Sequence, residues 1–193
     1  MQNQQQPLQQ SGTNEKGKQK LEIAIADNTQ AGWIMCEQKD PLQVIVCMLT
    51  VVYGFNTVDQ RKILWSQLEQ LAPKIKIHWL ICGDFNVVLT LQDRQGNPIT
   101  IAELKNFLEC YNNLLLTEIH WKGNCYTWTN NQRGDDRVWR KLDMATANDE
   151  WMMQYGHLNV TYGEPVISDH NPMLIPLRVP RSNIKVLFRF FNI

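Results

Sequence analysis

Apolar and polar positions along this chain follow two rhythms, and the switches between them mark its elements. Leu42 to Tyr53 is β-branched and apolar almost throughout, which predicts a strand buried on both faces. From Asp59 the spacing changes: Ile63, Leu64, Leu68 and Leu71 recur at helical intervals, and Pro73 follows the end. A short apolar run, Trp79 to Cys82, predicts a second buried strand that stops at Gly83. Residues 92–98 are polar and carry Gly96 and Pro98, the composition of a loop. Thr100 with Glu103 three residues later forms a capping box for a second helix, which runs to about Asn112 and buries Leu104, Phe107, Leu108 and Tyr111. Further strands are expected at Leu21–Ala26, Trp33–Cys36, Leu114–Ile119, Cys125–Thr129, Val138–Leu142, His157–Tyr162 and Met173–Val179, with a short helix or helical turn at Asn148–Tyr155. Strands interleaved with a few helices predict a mixed α/β domain whose sheets are covered by helices.

Composition narrows the picture. At 193 residues the chain is long enough for one domain with a core, and 44% hydrophobic with 20% charged residues is ordinary for a globular protein. Residues 1–20 are rich in Gln, Ser, Gly and Lys and are expected to form a disordered tail. The domain is placed at 21–180, with a C-terminal extension at 181–193. The formal net charge is zero, which argues against a protein that grips nucleic acid by bulk positive charge, but not against a local basic rim. Five scattered cysteines without a C-x-x-C word indicate neither a zinc site nor a disulfide framework, and a reduced intracellular setting is the expectation. The start is Gln-rich and does not resemble a secretory signal; the longest apolar run is too short to span a bilayer, so no membrane partner is expected.

Candidate chemistry lies where strands end. Asp84 and Asn86 follow the Trp79–Cys82 run, two residues apart, a spacing that in a strand turns both side chains to one face. A carboxylate beside a carboxamide suits a water to be activated and an oxyanion to be steadied. Downstream, Asp143 closes the Val138–Leu142 run, and Ser168-Asp169-His170 follows another apolar stretch. His170 could serve as a general acid or as a cation on a phosphate, oriented by Asp143 or by Asp169. Several acids and an Asn also suit Mg²⁺, a hard cation that takes oxygen ligands and orients water for phosphodiester hydrolysis. The competing reading is plain: each acid is a turn residue with an Asx-type cap, and His170 is a surface side chain.

At these residues the sequence resembles the endonuclease/exonuclease/phosphatase family, which has a deoxyribonuclease-like fold. It is most similar to the endonuclease domains of plant LINE-type retroelements. The matching words are Val52-Tyr53-Gly54, Arg61-Lys62-Ile63-Leu64-Trp65, Gly83-Asp84-Phe85-Asn86, Asp93-Arg94-Gln95-Gly96, Tyr126-Thr127-Trp128-Thr129-Asn130, Leu142-Asp143, Ala147-Asn148 with Trp151, and Ser168-Asp169-His170-Asn171-Pro172. The resemblance implies an α/β sandwich of two packed sheets flanked by helices, and a metal-dependent hydrolase of phosphodiesters in DNA with Mg²⁺ as cofactor. It implies that Asp84 orients or deprotonates the attacking water, and that Asn86 holds a phosphate oxygen and Asp84. His170 would bind the scissile phosphate or assist the leaving group with Asp143 hydrogen-bonded behind it. Asp169 would lie on or near the metal, Tyr53 would reach the phosphate, and Trp128 would pack near the nucleic-acid groove. For Tyr53 and Trp128, simple core packing is the alternative.

The departures from the family pattern matter as well. No word here matches the family's opening Asn motif or the acidic word whose Glu is its main metal ligand; Glu22, Glu37 and Asn28 sit in no such context. Lys141 stands where an Arg is usual, and Met144 where another basic residue is usual. The expectation is therefore a domain incomplete on its N-terminal side, with Mg²⁺ held weakly or not at all and activity weak or absent. A non-catalytic remnant or nucleic-acid-binding fragment is the alternative, and a small phosphatase of the same family a third. Oligomeric state is left open.

Overall fold

The computed structural model describes residues 22–28, 33–39 and 47–176. The expected tail at 1–20, the extension at 181–193 and both domain boundaries lie outside these residues. In chain order the strands are β1 (Glu22–Asn28), β2 (Trp33–Lys39), β3 (Cys47–Tyr53), β4 (Trp79–Asp84), β5 (Arg94–Gln95), β6 (Thr117–Glu118), β7 (Trp121–Gly123), β8 (Trp128–Thr129), β9 (Trp139–Arg140), β10 (Asp143–Ala147), β11 (Val160–Tyr162) and β12 (Met173–Leu174). The helices are α1 (Val58–Leu71), α2 (Ile101–Asn113) and α3 (Asp149–Tyr155). The main sheet has six strands in the order β1-β2-β3-β4-β10-β6, antiparallel except for the parallel β3–β4 pair. Two three-stranded sheets, β12-β11-β7 and β5-β9-β8, complete the architecture.

The alternation along β4 explains how the layers stack. Trp79 and Ile81 point to one face and Leu80 and Cys82 to the other. The first face packs on Leu64, Trp65 and Leu68 of α1 and Leu104, Phe107 and Cys110 of α2. The second packs on Trp151 of α3 and on Val160 and Tyr162 of β11, so the sheet β12-β11-β7 lies across it. This is the mixed α/β sandwich with flanking helices that the sequence predicts. The helices begin where capping chemistry requires. The Thr57 side chain accepts the Gln60 backbone N–H ahead of α1, Thr100 and Glu103 form the expected box ahead of α2, and the Asn148 side chain accepts the Trp151 N–H ahead of α3.

Several element readings are corrected. Strand β3 is not buried on both faces: Val51 is 42% and Tyr53 66% exposed, and neither belongs to the apolar clusters on the two sides of the sheet. Leu114–Ile119 is not one strand; Leu115 turns with φ 51° and leaves only Thr117–Glu118 paired. Of Cys125–Thr129 only Trp128–Thr129 is strand. Val138–Leu142 does not end at Asp143 as one strand. The chain leaves β9 at Arg140 and enters the main sheet at Asp143, so Asp143 opens β10. At the end of the chain, Met173–Leu174 is the paired portion and 177–179 lies outside the described residues.

Candidate active site

Asp84 is the last residue of β4, with Tyr53 opposite it on the parallel neighbour β3 and Asp143 opposite it on the antiparallel neighbour β10. Close backbone approach makes this arrangement depend on glycine. A Cβ on Gly83, whose φ is +131°, would lie 2.2 Å from the Val52 carbonyl oxygen, and one on Gly54 would lie 2.2 Å from that of Phe85. The Gly54 N–H donates to the Asp84 carbonyl at 2.6 Å, and the Phe85 N–H to that of Leu142 at 2.9 Å, so both neighbours clasp the end of β4.

Asn86 does not continue the strand. It sits at φ 51°, and its backbone N–H turns back to donate to Asp84 Oδ1 at 2.8 Å. This is the Asx turn of the competing sequence reading, and it corrects the same-face reading of Asp84 and Asn86. The Asn86 carboxamide nitrogen donates to Asn56 Oδ1 at 2.7 Å and to the Gly54 carbonyl at 3.3 Å. Buried Arg61 in turn donates to the Phe55 and Asn56 carbonyls at 2.7 and 3.0 Å. Arg61, Asn56 and Gly54 thus hold the loop that holds Asn86, which holds Asp84.

The other wall comes from the loop between β11 and β12. His170 Nδ1 lies 2.9 Å from Asp143 Oδ2, and its Nε2 lies 3.9 Å from Asp84 Oδ2. The first distance is a hydrogen bond that orients the ring; the second is too long for one. An oxygen offset from the line between Nε2 and Asp84 could sit about 2.8 Å from each. Asp143 is itself bracketed. Thr127 Oγ1 accepts the Leu142 and Asp143 N–H groups, both at 2.9 Å, and the Tyr162 hydroxyl donates to the Asp143 carbonyl at 3.0 Å. The His170 loop is tied to the same segment: Asn171 donates through its side chain to the Tyr126 carbonyl at 3.0 Å and through its backbone to that of Thr127 at 2.8 Å.

Burial is the main reason the Asp84 carboxyl is pushed up to about 6. The Asn86 N–H opposes the shift, Asp143 adds to it, and His170 and Arg61 oppose it. For His170, burial disfavours the imidazolium, but the Asp143 hydrogen bond and charge, with Asp84 and Asp169 behind them, outweigh it and raise the pKa.

The structure thus brings Asp84, Asn86, Asp143 and His170 together. Tyr53 is exposed beside Asp84, which removes core packing as its explanation. Asp169 is exposed, and its Oδ2 accepts the Trp128 indole N–H at 2.8 Å, which holds its carboxyl below the usual range. Trp128 is half-buried against the helical side of the core, so its ring packs there while its N–H fixes Asp169. Mg²⁺ prefers about six oxygen ligands in octahedral array. Among the described residues no group of three His, Cys, Asp or Glu could hold a metal ion, so a Mg²⁺ here would rest on one or two carboxylates, with water and substrate phosphate completing its shell. Sequence reasoning attached no role to Arg61, Thr127, Tyr162 or Asn56. Thr127 and Arg61 sit in words quoted for the family resemblance, and a buried Thr or Arg signals its hydrogen bonds only once partners are visible.

No family model matches this sequence, and no curated protein matches it in sequence. Solved structures do match in shape. The endonuclease domain of TRAS1, a telomere-specific non-LTR retrotransposon, superposes with a TM-score of 0.58 at 17% identity, over 82% of this chain and 70% of that one. The 3′ phosphatase NExo from Neisseria, bound to product DNA hairpin, gives 0.56 at 16%, over 80% and 69%. The chain has the endonuclease/exonuclease/phosphatase fold. The catalytic domain of APE2 from Xenopus laevis agrees, with a TM-score of 0.55 at 16% identity; this chain overlaps 54% of its length. Among the described residues no helix is long and apolar enough to cross a membrane.

Proposed function

We propose that the cleft at the end of β4 is a phosphodiester hydrolase site acting on nucleic acid. The observation that carries the reading is the imidazole of His170, oriented by Asp143 at 2.9 Å and facing Asp84 across 3.9 Å. Asp84 near pKa 6 is ionised at neutral pH yet basic enough to take a proton from water, the compromise a general base requires. In this scheme water transfers a proton to Asp84 as its oxygen bonds to phosphorus. The opposite P–O bond then breaks, and the leaving oxygen takes a proton from His170 or from solvent. The imidazolium of His170 steadies charge on the phosphoryl oxygens, a role its raised pKa favours. Tyr53 is exposed at the rim beside Asp84, within reach of a bound phosphate. No step is assigned to Asp169, whose carboxylate is engaged by Trp128.

The words shared with plant LINE-type endonucleases support a retroelement origin, and the fold likeness to a retrotransposon endonuclease domain agrees with it. Activity is expected to be weak, because the described residues supply no metal cage and one absent charge-stabilising group costs about 10²–10³ in rate. The same observation favours the second reading, a nucleic-acid-binding protein without catalysis. Nicking of supercoiled plasmid in Mg²⁺ and in Mn²⁺ decides between them. Slow nicking that disappears in His170→Ala is the expected result. Nicking unchanged by that substitution would remove the site from the reaction, and no nicking under either condition would leave the binding reading.

A further inference from the structure

One row of side chains runs away from His170 across the small sheet β5-β9-β8. Trp128 of β8 bridges to His170, Arg140 of β9 pairs with Trp128, and Arg94 of β5 pairs with Arg140. Directly opposed residues in antiparallel strands share a face, so all four lie on one face of the small sheet, each part-buried. Three strand spacings cover about 14 Å.

This row carries charge that the fold leaves uncompensated. Two arginines directly opposite each other repel and destabilise the pair. Among the described residues no carboxylate forms an ion pair with Arg94 or Arg140. Glu103 is the acid that acts on both, but its Oε1 already closes the Thr100 cap. Arg61 adds a further positive charge to the surroundings of Arg140. The Arg140 Nε is buried without a hydrogen-bond partner, while its guanidinium lies 5.3 Å from the centre of the Trp128 ring. That stack fixes the plane of the group and leaves its donors unspent. Arg94 also borders an open groove of about 480 Å³ with Gly96 and Asn97. Burial and like charge depress the pKa of Arg140, the cost that a bound anion relieves.

We infer that Arg94 and Arg140 form a second phosphate subsite, which takes backbone phosphates of the DNA strand flanking the one at His170. The inference rests on the nucleic-acid reading of the cleft and adds the direction in which the strand leaves it. At 3.4 Å of rise per strand, a row of about 14 Å spans roughly four nucleotides. Two adjacent guanidiniums present forks that match phosphate oxygens.

The test uses the full chain carrying Asp84→Asn, so that cleavage does not intrude while His170 stays in place, and a labelled 12-base-pair DNA duplex of mixed sequence in fluorescence anisotropy. Binding is measured from about 50 to 200 mM salt for this protein, for the same protein with Arg94→Gln and Arg140→Gln, and with Lys105→Gln on the exposed face of α2 as a charge control. The arginine pair is expected to weaken binding at least tenfold and to lower the salt slope by about 2, one for each lost phosphate contact. The Lys105 control changes neither. A merely structural role for Arg140 on Trp128 would lower the thermal midpoint and leave the slope intact, which overturns the inference. Binding of unchanged affinity and slope in the arginine variants overturns it too, and leaves the hydrolase reading standing. Absence of binding by the Asp84→Asn protein itself overturns both.

Discussion

His170 and Asp84 are bound to each other's protonation state. Asp84 has its pKa raised from 3.8 to about 6 by burial, so between these values the native state binds a proton that the unfolded chain has lost. Its contribution to stability therefore declines as pH rises through that window. His170 has its pKa raised by Asp143, and its contribution is fully present below about 6.5, the unfolded value, and lost as pH rises through the higher folded value. Both terms have the same sign. The thermal midpoint is expected to fall across pH 4 to 8 more steeply in the wild type than in either variant. His170→Ala removes the part above about 6.5 and Asp84→Asn the part below about 6. Scanning calorimetry across this range checks the assignment; parallel wild-type and variant profiles would contradict it.

At the scale of elements, the site exists because three strand ends meet with almost no room between their backbones. Gly83 and Gly54 permit that meeting, and Thr127 joins it to the small sheet by accepting two backbone N–H groups through one hydroxyl. Gly83→Ala meets two costs at once: a positive φ of 131° and a Cβ 2.2 Å from a backbone oxygen that cannot yield without shifting β3. A loss of about 3 kcal/mol or more in urea unfolding is expected, above the usual range for single substitutions. Gly134→Ala, with φ 61° but nothing within 4 Å, is the comparison and should cost about 1 kcal/mol. Equal losses would show that contact with Val52 is unimportant.

For the whole molecule, the six-stranded sheet separates two apolar clusters, one beneath α1 and α2 and one beneath α3 and β11. Among the described residues the sheet is the only layer both clusters share, so the question is whether they unfold as one. Leu64, fully buried in the first, and Val160, 1% exposed in the second, lie on opposite sides. Leu64→Ala is expected to cost about 2–5 kcal/mol. The double variant with Val160→Ala should equal the sum of the singles within about 0.5 kcal/mol, with a single transition throughout. Two separable transitions would show that the layers fold independently.

The sequence by itself determined most helix bounds and the N-terminal cap of α2, because these depend on neighbours a few residues apart. Thr100 and Glu103 close their box wherever the helix lies. It also marked Asp84, Asn86, Asp143 and His170, each beside an apolar run ending in polar groups. Only the tertiary structure decided that Asp143 begins a strand, since the switch from β9 to β10 follows from which sheet each half can pair with. The sequence offered the turn at Asn86 only as one of two readings, and the tertiary structure chose between them. The positive φ of Asn86 answers to the close approach of Gly54 and Phe85, which lie 31 residues apart in sequence. The exposure of Tyr53 and Val51 is likewise a matter of which neighbours the fold brings to that end of β3, and their apolar pattern alone predicts burial. The Arg94–Arg140 row arises the same way. Strand register places like charges opposite each other across 46 residues of chain, and local propensity carries no term for that pairing.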